Sequence, residues 1–222
     1  MLGHSWSGAL ATAYSLAYPN EITGLVLLAP VTHPWRGGVG LINDLVTMRF
    51  IGPLIAHTLI LPIGYLTLPS AVASVFAPQT PPADYINRTD AMMILRPSEF
   101  IANAQDLVDL KAHVTTQAPH YGEINGPVAI IADDADDIVS TDIHSRAIFS
   151  MLPQATLTVL PGVGHMVQYA APDRVIQAVN EVATAFSRGA ASVEACPRRV
   201  TSAHNGSGHC AASIKLYIGK RQ

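Results

Sequence analysis

Three polar side chains of this sequence, Ser5, Asp136 and His165, could together perform nucleophilic catalysis. A serine hydroxyl is a weak nucleophile at neutral pH, so it needs a histidine that accepts its proton and later returns it to the leaving group. A carboxylate fixes the tautomer of that histidine and stabilises its positively charged form. The three residue types therefore predict acyl transfer through a covalent intermediate, provided that the fold brings them together.

Ser5 lies in the opening octapeptide MLGHSWSG, which predicts a sharp turn from a strand into a helix. Small residues are needed on both sides of a serine at such a turn, because the strand and helix backbones approach closely there. Gly3 and Ser7 occupy these positions, and Gly8 follows directly. The backbone N–H of Trp6, at the start of the predicted helix, is the candidate donor to an oxyanion.

An alternation of apolar runs and helical patterns indicates how the three residues are positioned. A parallel strand buried on both faces is predicted at residues 24–30, and further strands at 127–132 and 155–160. Helices are predicted at residues 9–17, 103–117, 142–151 and 173–187. Asp142 is the predicted cap of its helix. Asp136 and His165 follow the last two strands, at the edge where open parallel sheets build their sites. The pattern predicts an α/β fold with a mostly parallel sheet.

The same alternation divides the chain into core segments at 1–32 and 119–187, a helical cap at 33–118 and a disordered tail at 188–222. Residues 51–83 contain no Asp, Glu, Lys or Arg and are long enough to span a bilayer. Repeated prolines should interrupt a spanning helix, so we favour a buried or lid-forming cap over a membrane segment. The candidates for the substrate pocket are His33, His57 and Met166; for both histidines we favour a local structural role instead.

The segments GHSWSGAL, LVLLAP, PVAIIADDADDIVS and LPGVGHMVQYAAPDRV resemble the second half of serine esterases and lipase-like enzymes of the α/β-hydrolase superfamily. The chain order Ser, Asp, His is the one found in that superfamily. Aligning its pattern G-D-x-D-x-I-V-P on residues 133–140 places the triad acid at Asp136, with Asp134 as the alternative. Asp133 and Ser140 stand where the pattern has glycine and proline. The resemblance implies an α/β-hydrolase fold with flanking helices and an inserted helical cap.

The resemblance further implies hydrolysis of carboxylic esters with an apolar part, without cofactor or metal. A serine nucleophile argues against dehalogenase and epoxide-hydrolase chemistry, whereas carbon-carbon bond hydrolysis, amidase action and perhydrolysis stay open. The first strands and the oxyanion loop of the family are not found before Ser5, so we expect an N-terminally truncated chain. Its incomplete sheet should favour self-association, and the polypeptide alone should have little esterase activity and low solubility. An inactive remnant or a module that binds an apolar ligand is the alternative.

Composition excludes several other classes of function. The chain is 49% hydrophobic and 13% charged, against about 25% charged in typical domains, which predicts extensive burial or an exposed apolar surface. A net charge of −3 gives no electrostatic basis for binding nucleic acid. The acidic run 133–137 lacks the spacing of a calcium loop, and Cys196, His204, His209 and Cys210 contain no C-x-x-C pair, so no metal is predicted. The absence of a basic segment before the apolar residues 10–17 argues against a signal peptide and favours the cytoplasm.

Overall fold

The structure is a computed structural model and describes residues 1–194, with side chains up to Arg188. One four-stranded sheet has the order β1-β2-β3-β4, and all its neighbouring strands are parallel. The strand bounds are β1 Leu2–His4, β2 Leu25–Leu28, β3 Val128–Asp133 and β4 Ala155–Leu160. Because the strands are parallel, their carboxyl ends lie at one edge of the sheet.

Helices pack on both faces of the sheet and form the region over that edge. Their bounds are α1 Trp6–Ala17, α2 Leu41–Val46, α3 Ile51–Ile55, α4 Leu61–Phe76, α5 Tyr85–Arg88, α6 Pro97–Gln117, α7 Ala147–Met151, α8 Val167–Ala170 and α9 Pro172–Glu194. Short π-helical turns, Ala56–Ile60 and Asp142–Arg146, precede α4 and α7, and 3-10 turns cover Ala91–Leu95 and Ala118–Glu123.

The two central strands are buried along their whole length. Leu25 and Leu27 pack toward α1 and α7 in one apolar cluster, whereas Val26 and Leu28 pack toward α8 and α9 in another. Successive side chains of a strand point to opposite faces, so burial on both faces requires a continuous apolar run. The structure therefore confirms the predicted parallel α/β sheet with flanking helices.

Three local predictions were wrong. Asp133, predicted in the acidic loop, is the last residue of β3, where it pairs with Leu160 of β4 and is buried. Asp142 is not a cap: it lies inside the first turn and pairs with Arg146. Helix α9 extends to Glu194, into the predicted disordered tail, because the segment after Arg188 is rich in alanine and contains no proline. The rest of that tail, with the four Cys and His residues considered above as zinc ligands, lies outside the described residues.

The region 33–118 contains α2 to α6 and, among the described residues, no strand. It has an apolar core of its own, made by Val46, Ala56, Ile60, Leu95 and Ala104. The prolines do not end its long helix, contrary to prediction. Pro53 lies in the first turn, where a backbone N–H is dispensable, Pro62 directly follows the π-helical turn, and Pro69 is on an exposed part of α4. Within residues 1–194, Ile51–Phe76 is the one helix long and apolar enough to cross a membrane, and 17% of its most apolar window is buried.

The close approach of α1 to the loop after β2 depends on Gly8. A Cβ atom at residue 8 would lie 2.6 Å from Pro30 Cβ and 3.0 Å from Pro30 Cα. We expect Gly8→Ala to lower the free energy of unfolding by about 1–3 kcal/mol, because one of the two segments must move. Urea unfolding measures the change. Gly38→Ala is the matched control, since no atom lies within 4 Å of the added Cβ there. Equal unfolding midpoints for the two variants would contradict the expectation.

Candidate active site

Ser5 alone forms the turn between β1 and α1, and its backbone is strained. Its φ and ψ angles are 54° and −122°, a conformation that residues other than glycine rarely adopt. Three hydrogen bonds hold it there: the Ser5 N–H donates to Leu28 O at 3.0 Å, and the Ser5 carbonyl accepts from the N–H groups of Gly8 and Val31 at 2.9 and 3.1 Å. The serine is therefore fixed by its neighbours at the carboxyl edge of the sheet.

The small residues around Ser5 have separable roles. A Cβ atom at Gly3 would lie 2.5 Å from the Ser7 carbonyl oxygen and 2.9 Å from Gly8 Cα, so glycine is required at residue 3. The Ser7 hydroxyl donates to the His4 carbonyl at 2.8 Å and accepts from the His4 N–H at 2.9 Å. A serine therefore fits at residue 7 and bridges the turn, whereas the close approach to the next loop falls on Gly8.

Asp136 and His165 form a buried pair at the same edge of the sheet. The His165 Nδ1 atom lies 2.7 Å from Asp136 Oδ2, and the two side chains are 6% and 1% exposed. The other carboxylate oxygen of Asp136 accepts from the N–H groups of Ile138 and Val139 at 2.7 and 3.0 Å. The carboxylate is thus oriented on both sides, and it holds the imidazole by Nδ1.

The charge on Asp136 is stabilised although the group is buried. Burial by itself raises the pKa of this carboxyl. Hydrogen bonding and charge interaction with His165, together with the two N–H donors, lower the pKa by more than burial raises it, so the pKa of Asp136 lies below its usual range. Asp134, the alternative acid, instead accepts from the Gly162 N–H. The structure therefore brings Asp136, and not Asp134, to His165.

Two contacts from distant parts of the chain hold the His165 loop. The His4 Nε2–H donates to the His165 carbonyl oxygen at 2.9 Å, and the two rings are 4.7 Å apart. The Gln79 amide donates to Gly162 O and accepts from Gly164 N–H at 2.7 and 2.9 Å. Sequence analysis missed Gln79, since no local pattern links it to a loop more than 80 residues further along the chain.

A cavity of about 1060 Å³ lies beside the predicted nucleophile, and both Ser5 and Asp136 border it. Its wall is mainly apolar and includes Trp6, Val31, Trp35, Leu107, Leu110 and Val139, with Arg36 and Ser140 among its polar residues. Within the described residues, no hydrogen bond joins the Ser5 hydroxyl to the His165 ring; such bonds are often formed only when substrate binds. The Trp6 N–H, at the first position of α1, has no acceptor within the described residues, so it is free to donate to an oxyanion.

The three residues predicted to line the pocket do not border this cavity. His57 is exposed on the π-helical turn before α4, and its Nδ1 bonds to Pro53 O at 2.8 Å. His33 contacts the Thr32 hydroxyl at 2.9 Å and the edge of Tyr121, so both histidines make local contacts. Met166 borders a different cavity, of about 510 Å³. The difference arises because α6, whose apolar face was recognisable in the sequence, lines the cavity beside Ser5 with Leu107 and Leu110, whereas the helix that carries His57 does not reach it.

The sequence model described as the alpha/beta hydrolase family matches residues 1–178. The chain belongs to the alpha/beta hydrolase family. The α/β-hydrolase fold inferred from the four sequence segments is thereby confirmed, and the parallel sheet with its flanking helices agrees with it.

Solved structures of several hydrolases and related enzymes are similar to this alpha/beta hydrolase. A loop variant of a haloalkane dehalogenase from Bradyrhizobium elkanii has a TM-score of 0.64 and 13% identity, covering 86% of this chain and 68% of its own. A lipase candidate from Acinetobacter baumannii AYE has a TM-score of 0.62 and 21% identity, with coverages of 85% and 61%. A bromoperoxidase from Bacillus anthracis has a TM-score of 0.58 and 15% identity, covering 84% of this chain and 66% of its own. No curated protein matches the chain.

These likenesses show the fold alone, because every identity is below 25%. The hydrolase chain spans 61% to 68% of the length of these three structures. The three proteins are named for different activities, so the fold by itself does not select one chemistry.

Asp133 is a buried acid whose charge interacts with the Asp136–His165 pair, and sequence analysis assigned it no role. Its Oδ1 atom is 3.3 Å from the Thr141 hydroxyl, and its buried Oδ2 atom has no hydrogen-bond partner among the described residues. Burial, and then the negative charge of Asp136, raise the pKa of Asp133 to about 7. The folded chain therefore keeps a proton on this carboxyl under conditions in which an exposed aspartate is ionised.

Asp133→Asn should change how the stability of the hydrolase depends on pH. The folded chain holds this proton up to about pH 7, whereas the ordinary pKa of an aspartate is 3.8, so stability from this group is complete below about pH 4 and declines toward pH 7. A neutral amide removes the decline. The free energy of unfolding of the variant, minus that of the unchanged chain, should therefore increase by about 4 kcal/mol between pH 4 and pH 8.

Urea unfolding at several pH values measures this difference. The control is Asp134→Asn, because Asp134 is exposed and its oxygen contact to Gly162 can be kept by the amide. A pH slope that Asp133→Asn leaves unaltered would show that Asp133 is already ionised in the folded chain.

Proposed function

We propose that this hydrolase cleaves carboxylic esters through an acyl-enzyme on Ser5. The proposal rests on one observation above all: the buried Asp136–His165 pair and the strained Ser5 turn lie at the same edge of the sheet. A carboxylate that stays charged while buried favours an imidazole whose Nδ1 carries a proton. Nε2 is then free to act as a base.

The reaction begins when Ser5 Oγ attacks the ester carbonyl carbon and its proton passes to His165 Nε2. The carbonyl oxygen becomes an oxyanion, which accepts from the Trp6 N–H at the positive end of α1. Collapse of this intermediate breaks the bond to the alcohol oxygen, which takes the proton from His165. A water molecule, deprotonated by the same imidazole, then attacks the acyl-enzyme, releases the carboxylic acid and restores the Ser5 hydroxyl.

The walls of the cavity support an ester with an apolar portion. Trp6, Trp35, Leu107 and Leu110 place aromatic and aliphatic surface beside Ser5, and a volume of about 1060 Å³ accommodates a small-molecule ester. Burial of apolar groups stabilises the complex by roughly 25 cal/mol per Å², so longer acyl or alkyl groups should bind more tightly until the cavity is filled.

A fluorophosphonate probe tests the nucleophile, and a substrate panel tests the reaction. On the natural gene product that contains these residues, we expect covalent capture at Ser5, located by mass spectrometry of the labelled peptide. Nitrophenyl esters should be cleaved faster than the matching anilides and diones. A folded protein that the probe does not label would instead support a module that binds an apolar ligand. Faster cleavage of the anilides or diones would assign the same residues to amide or carbon-carbon bond hydrolysis.

A further inference from the structure

His144, a residue outside the predicted triad, is held in one orientation by the backbone of the loop after β2. Its ring lies on the π-helical turn Asp142–Arg146 and is buried. The N–H groups of Thr32 and His33 both donate to His144 Nδ1, each at 3.2 Å. The Thr32 hydroxyl also donates to the His144 carbonyl oxygen at 3.0 Å, so both the ring and its backbone are fixed.

These contacts determine where the proton of the ring resides. A nitrogen that accepts two N–H groups cannot carry a hydrogen itself, so the neutral ring has its proton on Nε2. Burial, followed by repulsion from His33, lowers the pKa of His144 to about 4. At neutral pH the residue is therefore an uncharged hydrogen-bond donor through Nε2.

His144 also lies at the wall of the cavity beside Ser5, and its Nε2 atom is the ring nitrogen left without a partner among the described residues. His144 is one of the residues that border this cavity, and Trp35 packs edge-on against its ring at 6.1 Å. In the described part of the chain, Nε2 has no acceptor. The fully buried side-chain atoms that lack a partner are Asp133 Oδ2 and Gln168 Oε1, so Nε2 retains some accessible surface. A donor with a fixed direction thus lies in a wall that also contains Trp6, Trp35, Leu107 and Leu110; Arg36 and Ser140 are other possible donors that border the same cavity.

We propose that His144 is a substrate-binding residue whose Nε2–H donates to an acceptor oxygen in the apolar portion of the ester. The hydrolase then prefers esters whose chain carries an ether or keto oxygen over hydrocarbon esters of the same length. This inference rests on the proposed function for the ester group itself, but the donor in the cavity does not depend on turnover. A ligand without an acceptor leaves the N–H unpaired after water has been displaced, and that loss is the origin of the selectivity.

The test compares binding in a Ser5→Ala background, in which no ester is consumed. The ligands are butyl hexanoate and two analogues in which an ether oxygen replaces one methylene of the acyl or the alkyl chain. Isothermal titration gives the ratio of affinities for ether and hydrocarbon ligands. Adding His144→Asn preserves an oxygen that can accept from Thr32 and His33, but it removes the donor at the Nε2 position. His144→Gln places an amide donor near that position and serves as the rescue variant.

With His144→Asn, we expect the ratio of affinities for ether and hydrocarbon ligands to fall about tenfold for at least one ether analogue, which corresponds to the loss of one hydrogen bond. His144→Gln should restore part of this ratio. Nitrogen-15 chemical shifts should independently show the Nε2–H tautomer, and the Nε2 resonance should move when the ether ligand is added. Ratios that do not change with His144→Asn, or no binding of any ligand, would overturn the inference. If the ratios change as expected while the protein with Ser5 intact hydrolyses no ester, the proposed reaction fails and the binding role of His144 stands.

Discussion

Ser5→Ala is expected to lower kcat/KM for nitrophenyl ester hydrolysis by about 10⁶-fold, because alanine cannot form the acyl-enzyme. The remaining acceleration would come only from binding and from the Trp6 N–H donor. The measurement uses the natural gene product that contains these residues, with far-ultraviolet circular dichroism to show that the fold is retained. Alanine at residue 5 must adopt the same positive φ as the serine, so the backbone cost is similar in both proteins.

The matched control for Ser5→Ala is Ser7→Ala, two residues further along the same turn. The Ser7 hydroxyl bonds only to the backbone of His4, and the pattern of such turns accommodates a smaller residue there. We expect this variant to keep kcat/KM within about tenfold of the unchanged enzyme. If Ser5→Ala lost no more activity than Ser7→Ala, Ser5 would not be the nucleophile.

Asp136→Asn is expected to reduce kcat by about 10⁴-fold with the fold intact. The oxygen of the asparagine amide can still accept from the N–H groups of Ile138 and Val139. The amide is uncharged, however, so it no longer stabilises a protonated His165. An amide nitrogen facing Nδ1 would also select the tautomer in which Nε2 carries the proton, which cannot accept one from Ser5. Steady-state kinetics at neutral pH measure the loss.

Asp134→Asn tests whether the structure has selected the correct acid. Asp134 contacts the Gly162 N–H, a bond that an asparagine oxygen can also accept, so kcat should change by less than about tenfold. The opposite result, a large loss for Asp134→Asn and a small one for Asp136→Asn, would assign the acid to Asp134 and contradict the observed pairing.

Much of the core of the fold could be predicted from local sequence. The apolar run at residues 155–160 coincides with β4, and the runs at 24–30 and 127–132 locate β2 and β3. For β2 and β3 the prediction succeeds because a strand buried on both faces must be apolar throughout, which is a property of neighbouring residues. The edge strand β4 is only partly buried and contains Thr156 and Thr158. The start of α6, the length of α9 and the position of Asp133 in β3 were missed, since element ends depend on pairing and packing with distant segments.

The sequence alone also determined which residues are candidates for chemistry and why they should meet. Ser5, Asp136 and His165 each follow a strand, and parallel strands carry the residues after them to one edge, whatever the details of packing. The tertiary structure decided between Asp136 and Asp134. It also decided which side chains line the cavity, because that depends on how α6 and the loop after β2 pack over Ser5. The direction of His144 depends on two backbone N–H groups more than 110 residues away in the chain, a contact that only the folded backbone can create.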